Sequence, residues 1–201
     1  MPTKTLQIPT ADGQADAFAA FPDRGAQYPG VLMYADGFGI RPVLRQMAQE
    51  LAGHGYYMLV PNFFYRHGPA PVIELPEHIG EDARPAIFAQ LMPLLKAHTA
   101  ERTLRDADAY LRFLTAQPEV DAGPVAVTGY CIGGLLALRT AAAHPAQVAA
   151  VAAGVSYTSE IYPGTVHGFT MSDTDAFSAS GLKRHWDRLL PLLDSTLIHQ
   201  P

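Results

Sequence analysis

Residues 129–134, Gly-Tyr-Cys-Ile-Gly-Gly, constrain the fold of this chain more than any other stretch of the sequence. A short apolar run precedes them at residues 124–128, and a run of helix-forming residues follows at 135–143. This order predicts a buried strand, a sharp turn and a helix, with the side chain at the centre of the turn lifted clear. Glycines two positions before and after Cys131 let the strand and the helix approach closely. The stretch is typical of a nucleophile elbow with cysteine in the place of serine.

Cys131 is the only cysteine of the chain, so no disulfide bond accounts for it. At the start of a helix, backbone amides and the helix dipole favour the thiolate over the thiol. The alternative is a free cysteine that packs as a small apolar side chain. Because the glycines, the strand and the helix are all in register, we interpret Cys131 as a nucleophile.

Apolar runs alternate with helical patterns along most of the chain. The predicted strands cover residues 5–8, 15–21, 30–35, 56–60, 124–128, 148–153 and 159–162. The predicted helices cover residues 42–53, 85–97, 104–114, 135–143 and 186–193. The first two strands would pair as an antiparallel edge hairpin, and residues 61–84 form a long loop. The pattern predicts a single α/β domain over residues 1–201, with a mostly parallel sheet that helices cover on both faces.

The composition and net charge indicate which binding partners and which cellular location to expect. The 201 residues are 48% apolar and 16% charged, which fits one domain with a sizeable core. A net charge of −5 gives no reason to expect nucleic acid or an anionic membrane as partner. No apolar stretch approaches the ~18 residues that span a bilayer, and the N-terminus lacks an apolar leader. We therefore expect a cytoplasmic enzyme without cofactor or metal, either a monomer or a weak homo-oligomer.

His167 is the histidine whose place suits a general base. It lies on a loop after the predicted strand at 159–162, between Gly164 and Gly168, and the other seven histidines fit surface or capping positions better. An imidazole that accepts the thiol proton would hold a thiolate beside imidazolium, and the thiolate would attack an ester carbonyl. We expect the amides of Ile132 and Gly37 to stabilise the resulting oxyanion.

Three motifs, at residues 36–40, 129–134 and 162–169, together resemble the dienelactone hydrolase family. The resemblance extends from about Tyr28 to the end of the chain. It implies an α/β-hydrolase fold, a Cys-His-Asp triad and the hydrolysis of a small ester or lactone.

The resemblance also implies roles for residues around the nucleophile. Asp36 stands where the family carries a glutamate that interacts with the cysteine, and Arg66 resembles a family arginine that meets the substrate carboxylate. Met171 replaces a second family arginine, which makes a small dianionic substrate a weaker expectation. Phe38 and Tyr130 lie within the same motifs and are expected to contact the substrate or the thiol.

The acid of the triad is missing from its expected place. The runs at 148–153 and 159–162 are separated by about five residues, whereas neighbouring parallel strands need a crossover of roughly a dozen. These runs are therefore antiparallel, or one irregular strand, or the remains of a lost βα unit. Comparison with the family favours a deletion of about fifty residues that removed the aspartate together with its crossover. Of the nearby acids, Glu160 would lie within a strand, and Asp173 and Asp175 would begin the last helix.

Two further functions compete with a cysteine hydrolase. A catalytically impaired relative would bind a small molecule in the same pocket without turning it over. A redox-sensing thiol protein would use the same activated cysteine, although the chain has no second cysteine to resolve an oxidised form.

Overall fold

A computed structural model describes residues 1–149 and 159–198. Its strands are β1 (Thr3–Thr10), β2 (Gly13–Ala20), β3 (Gly30–Tyr34), β4 (Tyr57–Pro61) and β5 (Ala126–Gly129). They form one sheet in the order β1-β2-β4-β3-β5. β3 is parallel to both of its neighbours, whereas β2 is antiparallel to β1 and β4. The sheet is thus mixed rather than mostly parallel, because the predicted N-terminal hairpin joins it through an antiparallel edge.

The described residues also form five α-helices. They are α1 (Pro42–Gly53), α2 (Arg84–Ala97), α3 (Ala100–Thr115), α4 (Ile132–Ala143) and α5 (Ala179–Leu193). Helix α1 packs on β2 and β4, while α3 and α4 contact each other and β3. The arrangement confirms the predicted α/β class. Among the helices that the structure describes, none combines the length and the apolar character needed to cross a membrane.

The two central strands position the loops that matter for function. Every residue of β3 and β4 is buried, as their continuous apolar runs predict. β5 lies parallel to β3 with Tyr34 opposite Gly129, so both strands end at the same edge of the sheet. The loop at residues 35–40 and the turn at 130–131 therefore emerge side by side.

The predicted strand at 159–162 is wrong: these residues form no strand. Glu160 bonds instead to Arg184 and Arg188 of α5, and Ile161 is 84% exposed. The segment lies along α5 because its side chains find charged partners there. The predicted strand at 148–153 falls mainly outside the described residues, although Val148 makes an isolated parallel bridge with Val125.

The expectation that Asp173 and Asp175 begin the last helix is also wrong. Helix α5 begins at Ala179, and the Ser178 hydroxyl caps it by accepting a hydrogen bond from the Gly181 amide at 3.1 Å. Both aspartates lie upstream of this cap, where each has another partner that is described below.

His98, directly after α2, makes the stability of the fold depend on pH in the acidic range. Its ring packs on Phe63 with centroids 5.4 Å apart, and burial lowers the pKa of His98 to about 4. The unfolded chain takes up this proton near pH 6.5, but the folded chain does so only near pH 4. Stability should therefore fall as the pH drops through that window, by up to ~3 kcal/mol from this group.

The variant His98→Phe should remove most of that loss. Urea unfolding at pH 7 and pH 4.5 is the measurement, and the difference between the two free energies should shrink by about 2 kcal/mol in the variant. Burial also lowers the pKa of His185, but that histidine is present in both proteins and its contribution cancels. An unchanged pH dependence would show that His98 is not the responsible group.

Candidate active site

The turn between β5 and α4 presents Cys131 at the head of the helix. Its φ and ψ are 55° and −119°, a conformation that costs a non-glycine residue on the order of 1–3 kcal/mol. The turn is closed by the Gly133 amide, which donates to the Tyr130 carbonyl at 2.8 Å, and by the Gly134 amide, which donates to the Cys131 carbonyl at 3.1 Å. The cysteine is exposed, so its sulfur stands clear of strand and helix. The local geometry is that of a nucleophile elbow.

Two glycines of the elbow are required by backbone contacts. A Cβ at Gly129 would lie 2.2 Å from the Gly133 carbonyl oxygen. A Cβ at Gly133 would lie 2.3 Å from the Ala35 oxygen and 2.6 Å from the Tyr34 oxygen. These distances confirm the predicted reason for the glycines, which is close packing of α4 against the ends of β5 and β3.

Cys131 and His167 line the same pocket, whose volume is about 600 Å³. The predicted site residues that share its lining are Asp36, Gly37, Phe38, Tyr130, Cys131 and His167. Ile132 is not part of the lining, but it follows Cys131 directly as the first residue of α4. The pocket opens at the edge where β3 and β5 end.

The histidine segment, residues 163–178, holds His167 in a series of hydrogen-bonded turns. The Phe169 amide donates to the Val166 carbonyl at 3.2 Å, and the Ser178 amide donates to the Phe169 carbonyl at 2.9 Å. Gly168, which follows His167, has a φ of 95° that favours glycine. The backbone on both sides of the histidine is thus fixed while its side chain stays exposed at the pocket.

Two backbone amides are available to an anion beside the cysteine. Within residues 1–149 and 159–198, the N–H groups of Gly37 and Ile132 have no hydrogen-bond acceptor. The neighbouring Phe38 amide differs, because it donates to Asp36 Oδ1 at 3.1 Å. Unpaired amides at a helix start and on a loop at the strand ends are the donors that an oxyanion hole requires.

Asp36 is engaged by an arginine rather than by the thiol. Its Oδ1 and Oδ2 accept hydrogen bonds from Nη1 and Nη2 of Arg41 at 2.6 and 3.0 Å. With the Phe38 amide as a third donor, both carboxylate oxygens are used. Among the described residues no hydrogen bond joins Asp36 to Cys131, and the contact with cysteine that the family resemblance implies stays a prediction.

Arg66 lies away from the pocket lining. Its Nη1 and Nη2 donate to Asp106 of α3 at 2.7 and 2.8 Å, and its Nε donates to Asp12 at 2.9 Å. The structure therefore does not bring Arg66 together with Cys131. Two carboxylates far away in the sequence bind its guanidinium, and no local pattern around Arg66 signals that pairing.

Arg84 and His185 line the pocket without having been predicted there. Arg84, the first residue of α2, packs over the Phe88 ring at 5.7 Å and has no ion pair with a carboxylate within the described residues. His185 of α5 lies with its Nε2 3.2 Å from the Tyr130 hydroxyl. The one sequence signal for His185 is its position next to the predicted apolar face of α5, at Trp186 and Leu189.

No carboxylate among the described residues is hydrogen-bonded to His167. Glu160 binds α5, and Asp173 Oδ2 accepts a hydrogen bond from Arg41 Nε at 2.6 Å. Asp175 accepts hydrogen bonds from His78 and from the Glu81 amide at 2.7 and 2.8 Å. Residues 150–158 and 199–201 contain no aspartate or glutamate. The site therefore combines Cys131 and His167 with two amides that have no acceptor, and no described carboxylate is hydrogen-bonded to His167.

The chemistry available here is nucleophilic attack on a carbonyl. A thiol and an imidazole that line one pocket, together with two unpaired amides, suit acyl transfer through a tetrahedral oxyanion. Within residues 1–149 and 159–198, no group of three or more histidine, cysteine, aspartate or glutamate side chains could hold a metal ion.

Comparisons with known proteins agree with this chemistry. Residues 15–154 match the model of the dienelactone hydrolase family. Carboxymethylenebutenolidase of Pseudomonas sp. (strain P51) is 27% identical over 192 residues, which cover 87% of this chain and 77% of that protein. Carboxymethylenebutenolidase of Rhodococcus opacus is 35% identical over 120 residues, which cover 60% of this chain and 41% of that protein. Most of the curated relatives are matched over about half of their own length.

A solved structure shares the fold of this chain. The structure named m3DLH superposes with a TM-score of 0.77 at 21% identity, over 98% of each chain. The chain thus has the α/β-hydrolase fold that the motifs imply. The family match ends at residue 154, close to the place where we predict a deletion from the sequence.

Proposed function

This chain belongs to the dienelactone hydrolase family, and on that premise we propose that it hydrolyses a small ester or lactone through Cys131. The observation that carries the proposal is the elbow: Cys131 stands at positive φ at the start of α4 and shares a pocket with His167. The curated relatives support the reaction class, because their names specify a carboxymethylenebutenolidase.

In the proposed mechanism, His167 accepts the thiol proton and the thiolate attacks the carbonyl carbon of the substrate. The negative charge that develops on the carbonyl oxygen is stabilised by the amides of Gly37 and Ile132. Collapse of the tetrahedral intermediate breaks the bond to the alkoxide, which takes the proton from the His167 imidazolium. Water, activated by the same histidine, then hydrolyses the thioester and restores the thiol.

The pocket without an acid supports a second candidate, a relative that binds a small molecule but scarcely turns it over. An acid next to the histidine orients the imidazole and stabilises imidazolium, and its loss costs a serine triad about 10⁴ in rate. A thiol is easier to deprotonate than a hydroxyl and depends less on this help. We therefore propose that the chain turns over its substrate at a low but measurable rate. The rate is low because the deletion of a βα unit removed the acid.

The remaining parts of the proposal concern partners and compartment. A small molecule is the partner that a pocket of this size accommodates. We propose a reducing, cytoplasmic location because the reaction needs a free thiol, and a single domain that is monomeric or weakly self-associated. The acidic net charge of −5 supports the expectation that nucleic acid is not a partner.

Turnover of p-nitrophenyl acetate by His167→Gln tests the role of the base. The variant should lose about 10²-fold or more in kcat/KM, because the thiol then has no imidazole to accept its proton. His185→Gln is the matched control, since it removes a second imidazole from the same pocket, and it should lose less than about tenfold. Equal losses in the two variants would mean that His167 has no special role. Saturable binding of the ester without release of nitrophenol by the wild type would favour the second candidate.

A further inference from the structure

One buried guanidinium joins the loop that contains Gly37 to the segment that contains His167. Arg41, the residue before α1, is only 5% exposed. It holds Asp36 through the two hydrogen bonds described above, and it holds Asp173 through Nε at 2.6 Å and Nη2 at 3.1 Å. Arg41 is thus bidentate to a carboxylate on each side. Such charge-assisted pairs are both strong and strict in geometry.

Each of these carboxylates is close in sequence to a reacting group. Asp36 precedes Gly37, a residue of the pocket lining whose amide has no hydrogen-bond acceptor among the described residues. Asp173 lies in the histidine segment, and two consecutive turns connect it to His167. In these turns the Met171 amide donates to the Gly168 carbonyl at 2.9 Å, and the Thr174 amide donates to the Met171 carbonyl at 3.2 Å. Because these turns are hydrogen-bonded, a displacement of Asp173 would also displace His167.

The other contacts of the histidine segment lead away from the nucleophile. The Asp173 carbonyl accepts a hydrogen bond from the Ile79 amide at 2.8 Å, and Asp175 bonds to His78 and Glu81. The Arg41 pair differs from these because it leads to the loop that contains Gly37. The Arg41–Asp173 pair is also less exposed than the His78–Asp175 pair. The arginine side chain is 4% exposed, whereas the side chains of His78 and Asp175 are both exposed.

We propose that Arg41 is a positioning residue of the hydrolytic site, which fixes His167 relative to Cys131 and to the Gly37 amide. In a complete triad part of this task falls to the acid, which holds the imidazole directly. Here no carboxylate touches the histidine, so the segment itself must be held. The inference rests on the proposed function, but it concerns geometry that can be measured without turnover.

Asp173→Asn tests the proposal, because asparagine keeps the size of the side chain but removes its charge and one acceptor oxygen. We expect kcat for p-nitrophenyl acetate to fall about tenfold or more with little change in KM, since misplacing a catalytic group by about 1 Å can cost 10²-fold. The rate of iodoacetamide labelling of Cys131 at pH 7, relative to pH 9.5, should also fall, because a displaced imidazolium no longer favours the thiolate.

Asp106→Asn is the matched control. Like Asp173, Asp106 is bidentate to an arginine, but its partner Arg66 lies outside the pocket lining. This control should keep the wild-type kcat and labelling ratio. Arg41→Lys is a second test that keeps the charge but cannot be bidentate to two carboxylates, and it should behave like Asp173→Asn. Urea unfolding identifies any variant that is not folded.

Three outcomes decide the matter. Equal losses in Asp173→Asn and Asp106→Asn would overturn the proposal, because the effect would then be general destabilisation. Wild-type kcat and labelling in both Asp173→Asn and Arg41→Lys would overturn it as well. The third outcome is a labelling ratio that falls only in Asp173→Asn and Arg41→Lys, in a protein that releases no nitrophenol. That outcome would support the positioning role of Arg41 and refute hydrolysis.

Discussion

Replacing Cys131 with alanine is expected to reduce turnover of p-nitrophenyl acetate by at least about 10³-fold, down to the uncatalysed background. The sulfur is the one side-chain atom in the pocket that is both placed by the elbow and able to form an acyl intermediate. The amides of Gly37 and Ile132 would remain in place, but they stabilise charge that develops only after attack. The measurement is nitrophenol release under steady-state conditions, compared with buffer alone.

Cys131→Ser is the matched variant, because it keeps the size of the side chain and the strained turn. We expect a loss of about 10²-fold, since a hydroxyl is harder to deprotonate and no carboxylate among the described residues orients the His167 imidazole. Wild-type turnover in the alanine variant would contradict the assignment of Cys131. Wild-type turnover in the serine variant would contradict the argument that the missing acid matters less for a thiol.

The largest effect on folding is expected from Gly133→Ala. The added Cβ would lie 2.3 Å from the Ala35 oxygen and 2.6 Å from the Tyr34 oxygen, and these backbone atoms at the end of β3 cannot move aside alone. Helix α4 would have to separate from the sheet, at a cost of at least about 3 kcal/mol. Thermal unfolding followed by circular dichroism should show a melting temperature roughly 10 °C lower.

Gly134→Ala is the control for this effect. The Cβ at that position would meet the Gly129 oxygen at 3.4 Å, which is an ordinary contact, and alanine favours the helix by about 1 kcal/mol over glycine. The melting temperature of this variant should therefore equal or exceed that of the wild type. If Gly133→Ala were equally stable, the close packing between α4 and β3 would not exist as described.

The parts of the fold that the sequence predicts correctly depend on local patterns. Continuous apolar runs identify β3 and β4 because both faces of each strand are buried. The glycines around Cys131 identify the elbow because no other residue fits backbone contacts of that kind. Each of these signals is complete within a few neighbouring residues, so a single sequence is sufficient to find them.

The features that the sequence does not reveal depend on partners far away in the chain. Arg41 and Asp173 are 132 positions apart, and nothing near either residue indicates their pairing. The segment at 159–162 has the composition of a strand, but the arginines of α5 hold Glu160 outside the sheet. Arg84 reaches the pocket only because α2 begins beside it. Such tertiary contacts override the local pattern.

Trapping the acyl-enzyme tests the proposed role of Cys131 as the nucleophile. An activated ester makes acylation fast, so the thioester on Cys131 should accumulate before water hydrolyses it. The reaction with p-nitrophenyl acetate is quenched in acid within the first turnover, the protein is digested with pepsin, and the masses of the peptides are measured. We expect one acetyl group on the peptide that contains Cys131 and none after prior treatment with iodoacetamide. Nitrophenol release with Cys131 unmodified at every quench time, or an acetyl group only on another residue, would contradict this role.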